Sequence, residues 1–207
     1  MTFYKISDAQ FTRLYHQEME ICFSALDCIL NGEKAIYASS ELTTGIRLYN
    51  ALREAGVKTA ADLKQVKGKD WYSENLWDVN VRSACEFAGR IRTRDQQESL
   101  VVTPAPFSAP DWTQPEYLAF WEQLLRTRIH AVWFNLHWQY SNGCTFEFAV
   151  GVDAGLSLFD HEGRELGTRQ GAQLIEAAIQ TLEKDQFDTS KLRENLARLQ
   201  PASARAR

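Results

Sequence analysis

The chain has 207 residues, 44% of them hydrophobic, enough for one sizeable folded core. Its formal net charge of -4 and pI near 5.6 exclude the broadly basic surface that nucleic-acid phosphates require. No stretch reaches the roughly 18 apolar residues of a membrane span, and the start MTFYKISDAQ lacks the basic and apolar segments of a secretory leader, so a cytoplasmic protein with no membrane partner is expected.

Residues 8–30 place Phe11, Leu14, Tyr15, Met19, Cys22, Phe23, Leu26 and Ile29 at helical spacing, and Asn31-Gly32 is a helix stop. Ala35–Ala38 is a short β-prone run. The polar loop Ser39–Gly45 follows, and then Ile46, Leu48, Tyr49 and Leu52 predict a helix that ends at Gly56. Residues 59–94 read as helical throughout, with a break near Gly68, and carry no recognisable chemistry. Leu100–Thr103 is a second strand. The loop 105–115, which contains three of the five prolines, leads to a helix at 116–128. Ala131–Leu136 predicts a buried strand, a helix opens near Asn142 and runs to Gly155, and Leu156–Phe159 is a fourth strand before the turn His161-Glu162-Gly163. Two amphipathic helices, 170–184 and 190–199, close the chain ahead of a tail from Pro201 expected to be disordered.

Strands that alternate with helices predict an α/β fold: a Rossmann-like, mainly parallel sheet of about four to five strands with helices on both faces. The expected organisation is an N-terminal helical extension over 1–34, the α/β domain over 35–184 with a helical insertion at 59–94, and a C-terminal helix and tail over 185–207. The four cysteines lack a CxxC pair, which argues against a zinc knuckle or a redox motif. Cys22, Cys28 and Cys85 lie on helix faces and are expected to be buried and inert, leaving Cys144 as the thiol to test for reactivity. Asp160, His161 and Glu162 are adjacent in a turn and cannot readily converge on one ion, so no metal is expected.

The segment Trp138–Glu147, WQYSNGCTFE, concentrates the chemistry. It stands at the end of a strand and opens a helix, the place where ligands of open α/β sheets bind. Ser141 is a natural N-cap, and Ser141 and Gly143 at a helix start can present backbone N–H groups to an anion. Glu147, one turn in, can face whatever that anion is attached to. The loop 39–44 lacks the Gly and Lys pattern of a P-loop, so ATP hydrolysis is not expected.

Three pieces in order resemble the nucleoside 2-deoxyribosyltransferase-like family, which includes nucleoside 5'-monophosphate N-glycosidases. They are AIYASSELTTGIRLYNALREAG at 35–56, VVTPAPF at 101–107, and W-x-x-S-x-G-x-x-x-E, present as Trp138, Ser141, Gly143 and Glu147. The resemblance implies that Glu147 is the nucleophile attacking C1' of the sugar. It further implies that Ser141 and Gly143 lie by the sugar's 5' end or its phosphate, that Tyr37 lines the pocket, that Ser39 belongs to the phosphate or sugar loop, and that Arg47 stands near a phosphate-binding position. Family members commonly complete the pocket across a dimer, so a homodimer is expected, and no cofactor is implied.

The chain departs from the pattern in one place. Many members carry an Asp at the strand end before the Ser-Gly segment, where this sequence has Asn135, His137 and Trp138. Proton transfer then falls to His137, whose ordinary pKa is near 6.5, and Trp138 is placed to stack on a base. The expected activity is cleavage of the base–sugar bond of a nucleoside or nucleoside 5'-monophosphate. The alternatives are a nucleotide-binding or sensor protein of the same fold with reduced catalysis, and a nicotinamide-nucleotide hydrolase resembling the TIR domains.

Overall fold

A computed structural model describes residues 8–95, 99–109 and 111–199, with side chains from residue 17 onward. The expected apolar positions Phe11, Leu14 and Tyr15 therefore fall where only the backbone is described, and the tail from Pro201 lies outside the described residues. Helix α1 (Asp8–Leu30) leads into strand β1 (Ala35–Ser39), then α2 (Ile46–Ala55), α3 (Ala60–Lys67), α4 (Lys69–Tyr72), a π-helical turn (Ser73–Trp77) and α5 (Asp78–Arg94). Strand β2 (Val101–Val102), helix α6 (Gln114–Arg128) and strand β3 (Ile129–Phe134) follow. A 3-10 turn (Trp138–Tyr140), helix α7 (Asn142–Asp153), strand β4 (Ser157–Phe159) and helices α8 (Thr168–Lys184) and α9 (Ser190–Arg198) complete the order.

The expected fold class stands: the four strands form one all-parallel sheet in the order β2-β1-β3-β4, with helices on both faces. Strand β1 is central and all five of its residues are buried, as expected of a strand covered on both faces. The chain leaves β1 toward β2 and later returns to the other side of β1 through β3. This reversal makes β1/β3 the topological switch point, outside whose carboxyl ends a ligand crevice is expected in open α/β sheets.

Alternation along the strands divides the core in two. Tyr37, Val132 and Phe134 point into the large cluster shared with α2, α6, α7 and α8, whereas Ile36, Ala38 and Ala131 meet Phe87, Ala88 and Ile91 of α5. The N-terminal helix joins the large cluster: Met19, Phe23 and Leu30 are buried, and the Phe23 ring stacks on Phe120 with centroids 4.9 Å apart.

Strands β1 and β4 match the sequence reading to within one residue at one end, and the larger differences are in β3 and β2. Strand β3 spans Ile129–Phe134, two residues earlier than expected, because pairing with β1 runs from Ala35↔Ile129 to Ser39↔Phe134. Leu136, expected in the buried strand, is 52% exposed just beyond its end. Strand β2 keeps only Val101 and Val102, and the loop after it is held by aromatic packing: Phe107 stacks on Phe120 at 5.1 Å, and the Ala109 N–H donates to the Tyr117 hydroxyl at 2.8 Å.

The cysteines are redistributed as well. Cys28 and Cys85 are exposed on the outer sides of their helices, and Cys22 is half-buried against the large cluster. Cys144 is buried, and burial, reinforced by the nearby Glu147 carboxylate, pushes its thiol well up in pKa. A thiol so disfavoured as thiolate is a poor nucleophile, which argues against a reactive role for Cys144, the thiol singled out for testing.

Helices α7 and α8 approach closely where Gly171 faces the Phe148 ring, and a Cβ at residue 171 would land on that ring. Gly89, within α5, has open space around its missing Cβ. Gly171→Ala is expected to lower unfolding stability by about 1–3 kcal/mol through overpacking, and Gly89→Ala to raise it by about 0.5–1 kcal/mol through helix propensity. Denaturant unfolding of the two variants beside wild type checks both signs.

Candidate functional site

The side chain that organises the C-terminal edge of the sheet is Glu147. It sits in the second turn of α7, a helix whose residues from Cys144 to Gly151 are all buried, so its carboxyl projects into the protein. Only 6% of Glu147 is exposed. The Tyr37 hydroxyl donates to its Oε1 at 2.7 Å, and the Ser39 hydroxyl donates to its Oε2 at 2.5 Å. Residues 37 and 39 are two apart on β1 and therefore share a face. The alternation of a five-residue strand is thus what aims two hydroxyls at one carboxylate.

Neutral hydroxyls stabilise a buried carboxylate less than a cation would. Burial accordingly raises the Glu147 pKa to about 7, against the opposing pull of the Ser39 and Tyr37 hydrogen bonds. Tyr37, itself fully buried beside that carboxylate, has its phenol pushed well above its ordinary value, so it remains a donor. Each carboxylate oxygen accepts one of these hydroxyls and keeps a second lone-pair direction. The arrangement is a carboxylate poised between its two protonation states near neutrality, which is the property that a general acid or base requires.

Two neighbouring segments hold α7 in place. Ser141 is its N-cap, with the Cys144 N–H donating to Ser141 Oγ at 3.4 Å. The Thr44 hydroxyl, from the β1–α2 loop, accepts the Asn142 N–H at 3.0 Å. From α9, buried Asn195 donates through Nδ2 to the Asn142 carbonyl at 3.0 Å and to Thr145 Oγ1 at 2.9 Å. The helix start is therefore fixed both by the loop after β1 and by the C-terminal helix.

The sequence-derived residues are thus only partly gathered. Tyr37, Ser39 and Glu147 meet directly, and Ser141 and Gly143 form the start of the same helix. Arg47 is engaged elsewhere: its Nη1 donates to Glu41 Oε1 at 2.8 Å and to Asn80 Oδ1 at 2.9 Å. His137 is exposed, in left-handed backbone with φ 65°, and its ring neighbours Tyr140 at 6.5 Å. Trp138 is buried between Phe134 and Phe148, with centroids 4.7 and 4.8 Å away, and serves as core.

Glu41 and Asn80 escaped the sequence reading. Glu41 lies in a Ser- and Thr-rich loop, where a carboxylate ordinarily faces water, yet it is buried, accepting the Ile46 N–H at Oε2 (2.8 Å) and Arg47 at Oε1. The available signal was Gly45, four residues on: its backbone has φ 150°, and a Cβ there would overlap the Glu41 side chain. Asn80 then ties the loop to α5 by donating to the Leu42 carbonyl at 2.8 Å.

Asp160 caps its own turn, accepting the Glu162 and Arg164 N–H groups and the Arg164 side chain. Among the described residues no three His, Cys, Asp or Glu side chains come together in a way that could hold a metal ion. A surface hollow of about 250 Å³ beside Arg53, Lys58 and Phe187, and another of about 510 Å³ beside Ile29, Arg92 and Leu100, have linings that do not include Glu147. Comparison of the chain with protein-family models, with curated proteins and with solved structures finds no match.

The raised pKa of Glu147 makes stability depend on pH. A carboxyl that binds its proton more tightly in the folded state stabilises the fold below its unfolded value of 4.5, and that contribution is lost as pH rises through about 7. Wild type is expected to lose up to about 3 kcal/mol relative to Glu147→Gln between these limits, the penalty for ionising a buried carboxyl. Parallel denaturant titrations at several pH values check this; a difference between the two proteins that does not vary with pH contradicts it.

Proposed function

We propose that the protein cleaves the base–sugar bond of a nucleoside or nucleotide, with Glu147 as the nucleophile. The observation that carries this reading is the nearly enclosed Glu147 carboxylate, held by Tyr37 and Ser39 at the C-terminal end of β1, beside the β1/β3 switch point. The order of the residues that resemble the nucleoside 2-deoxyribosyltransferase-like family supports the same reading.

In this mechanism a free lone pair of a Glu147 oxygen forms a bond to C1' as the C1'–N bond breaks through an oxocarbenium-like state. The electron pair stays with the departing base, which takes a proton from solvent. Water, losing a proton, or a second base then attacks C1' and releases the Glu147 carboxylate. Tyr37 and Ser39 fix the orientation of the carboxylate and are positioning residues. Exclusion of water around Glu147 strengthens its attraction to the positive charge developing at C1'.

One observation favours the second reading, a binding or sensor protein that leaves its ligand intact. His137, the sequence candidate for assisting the leaving base, is exposed and has no hydrogen bond to Glu147. Chromatography of a panel of nucleosides, their 5'-monophosphates and NAD after incubation separates the readings. The enzyme reading expects free base from at least one nucleoside or monophosphate, with release falling roughly a thousandfold or more in Glu147→Ala. Tight binding of a ligand recovered unchanged favours the sensor, and loss of NAD alone favours the nicotinamide-nucleotide hydrolase. Base release that survives Glu147→Ala removes Glu147 from the chemistry.

A further inference from the structure

The loop between β1 and α2 contains the parts of a phosphate site, but a carboxylate of the same chain already occupies them. The Ile46 N–H at the start of α2 and the Arg47 guanidinium are an amide and a cation of the kind that grip a phosphate oxygen. Both instead donate to Glu41, which is 5% exposed, each at 2.8 Å. Arg47 is held in that orientation by Asn80, and Asn80 is held by the Leu42 carbonyl. Gly45 provides the room: any larger residue there would collide with the Glu41 side chain. The loop is built around its own anion.

The other helix start at this edge is largely committed too. On α7 the Asn142 N–H is taken by Thr44 and the Cys144 N–H by Ser141. The first turn thus leaves the Gly143 N–H without a hydrogen bond to protein among the described residues. A phosphate arriving at the β1–α2 loop would have to expel a buried, doubly hydrogen-bonded carboxylate and would meet like charge on approach.

We infer that Glu41 is a specificity-determining residue that closes the β1–α2 loop to phosphate, so that the ligand reaching Glu147 is an uncharged nucleoside rather than its 5'-monophosphate. This rests on the proposed base–sugar cleavage for its substrate, but not for the part Glu41 plays in the loop. It also changes the role of Arg47: its Nη1 neutralises Glu41 and, tied to Asn80, shapes the loop.

Two measurements test the proposal. In the first, inorganic phosphate is titrated by calorimetry into wild type, Glu41→Gln and Glu41→Ala, with circular dichroism confirming the fold of each. Removing the carboxylate frees the Ile46 N–H and Arg47, so Glu41→Ala is expected to bind phosphate about tenfold to a hundredfold more tightly than wild type, the change worth one or two charge-assisted hydrogen bonds. Glu41→Gln, which removes the charge and keeps the shape, falls between. Wild type binding phosphate as tightly as Glu41→Ala overturns the proposal, as does the absence of phosphate binding in every form. Should both variants fail to fold, tight phosphate binding by wild type still overturns it, and absence of such binding supports it.

In the second, base release from thymidine is compared with release from thymidine 5'-monophosphate. Wild type is expected to prefer thymidine in kcat/KM by about tenfold or more, and Glu41→Ala to narrow the gap. A wild type that prefers the monophosphate overturns the role of Glu41 while leaving the cleavage reading intact. Release from neither compound, nor from any other nucleoside or monophosphate, sinks the cleavage reading, and the phosphate titration then decides the role of Glu41 alone.

Discussion

The structure turns on a buried carboxylate held by two hydroxyls. An ionised carboxyl removed from water is among the most expensive groups a fold can contain, and it persists only where hydrogen bonds replace its hydration. Glu147 obtains those bonds from Tyr37 and Ser39. Both are available only because β1 is central and presents alternate residues to the face that α7 covers. The parallel order β2-β1-β3-β4, the Thr44 contact to the start of α7 and the Asn195 clamp from α9 all serve to keep that carboxyl in register with β1.

Two carboxylates at the same sheet edge are solvated by the protein in opposite ways. Glu41 is matched by a guanidinium and a helix-start amide, so its charge is locally balanced even though burial raises its pKa. Glu147 receives only neutral donors and is left near its point of half-ionisation at neutral pH. Glu41 holds the loop, and Glu147 is the carboxyl left without a cationic partner.

Much of the architecture was legible because it depends on periodicity. The helices at 46–55 and 168–184 declare themselves by apolar spacing, Gly56 and Gly155 mark where the helices at 46–55 and 142–153 stop, and the parallel sheet follows from the alternation of helices with strands. Boundaries set by pairing were less visible: nothing within residues 129–136 says that Ile129 pairs with Ala35, so the shift of β3 and the exposure of Leu136 emerge only in the sheet.

At the site, Tyr37, Ser39 and Glu147 were legible as residue types, whereas their convergence over more than a hundred positions of sequence was not. Arg47 meets a competing anion six residues before it, and His137, in left-handed backbone, lies on the surface; neither contact nor exposure is visible from sequence proximity. Glu41 was hidden because a glutamate in a polar loop is usually solvated. Its burial depends on Gly45 and Asn80, one of them 35 residues downstream of the loop. Such long-range polar contacts leave no periodic trace.

The most direct test of this account is the titration of the Glu147 carboxyl itself, followed by carbon NMR in protein labelled at glutamate side chains and assigned by comparison with Glu147→Gln. The structure predicts a midpoint near 7, moving higher still in Ser39→Ala as one donor is removed. A midpoint near the ordinary 4.5, unchanged by Ser39→Ala, would contradict it, because the carboxyl would then stand in water and not against β1.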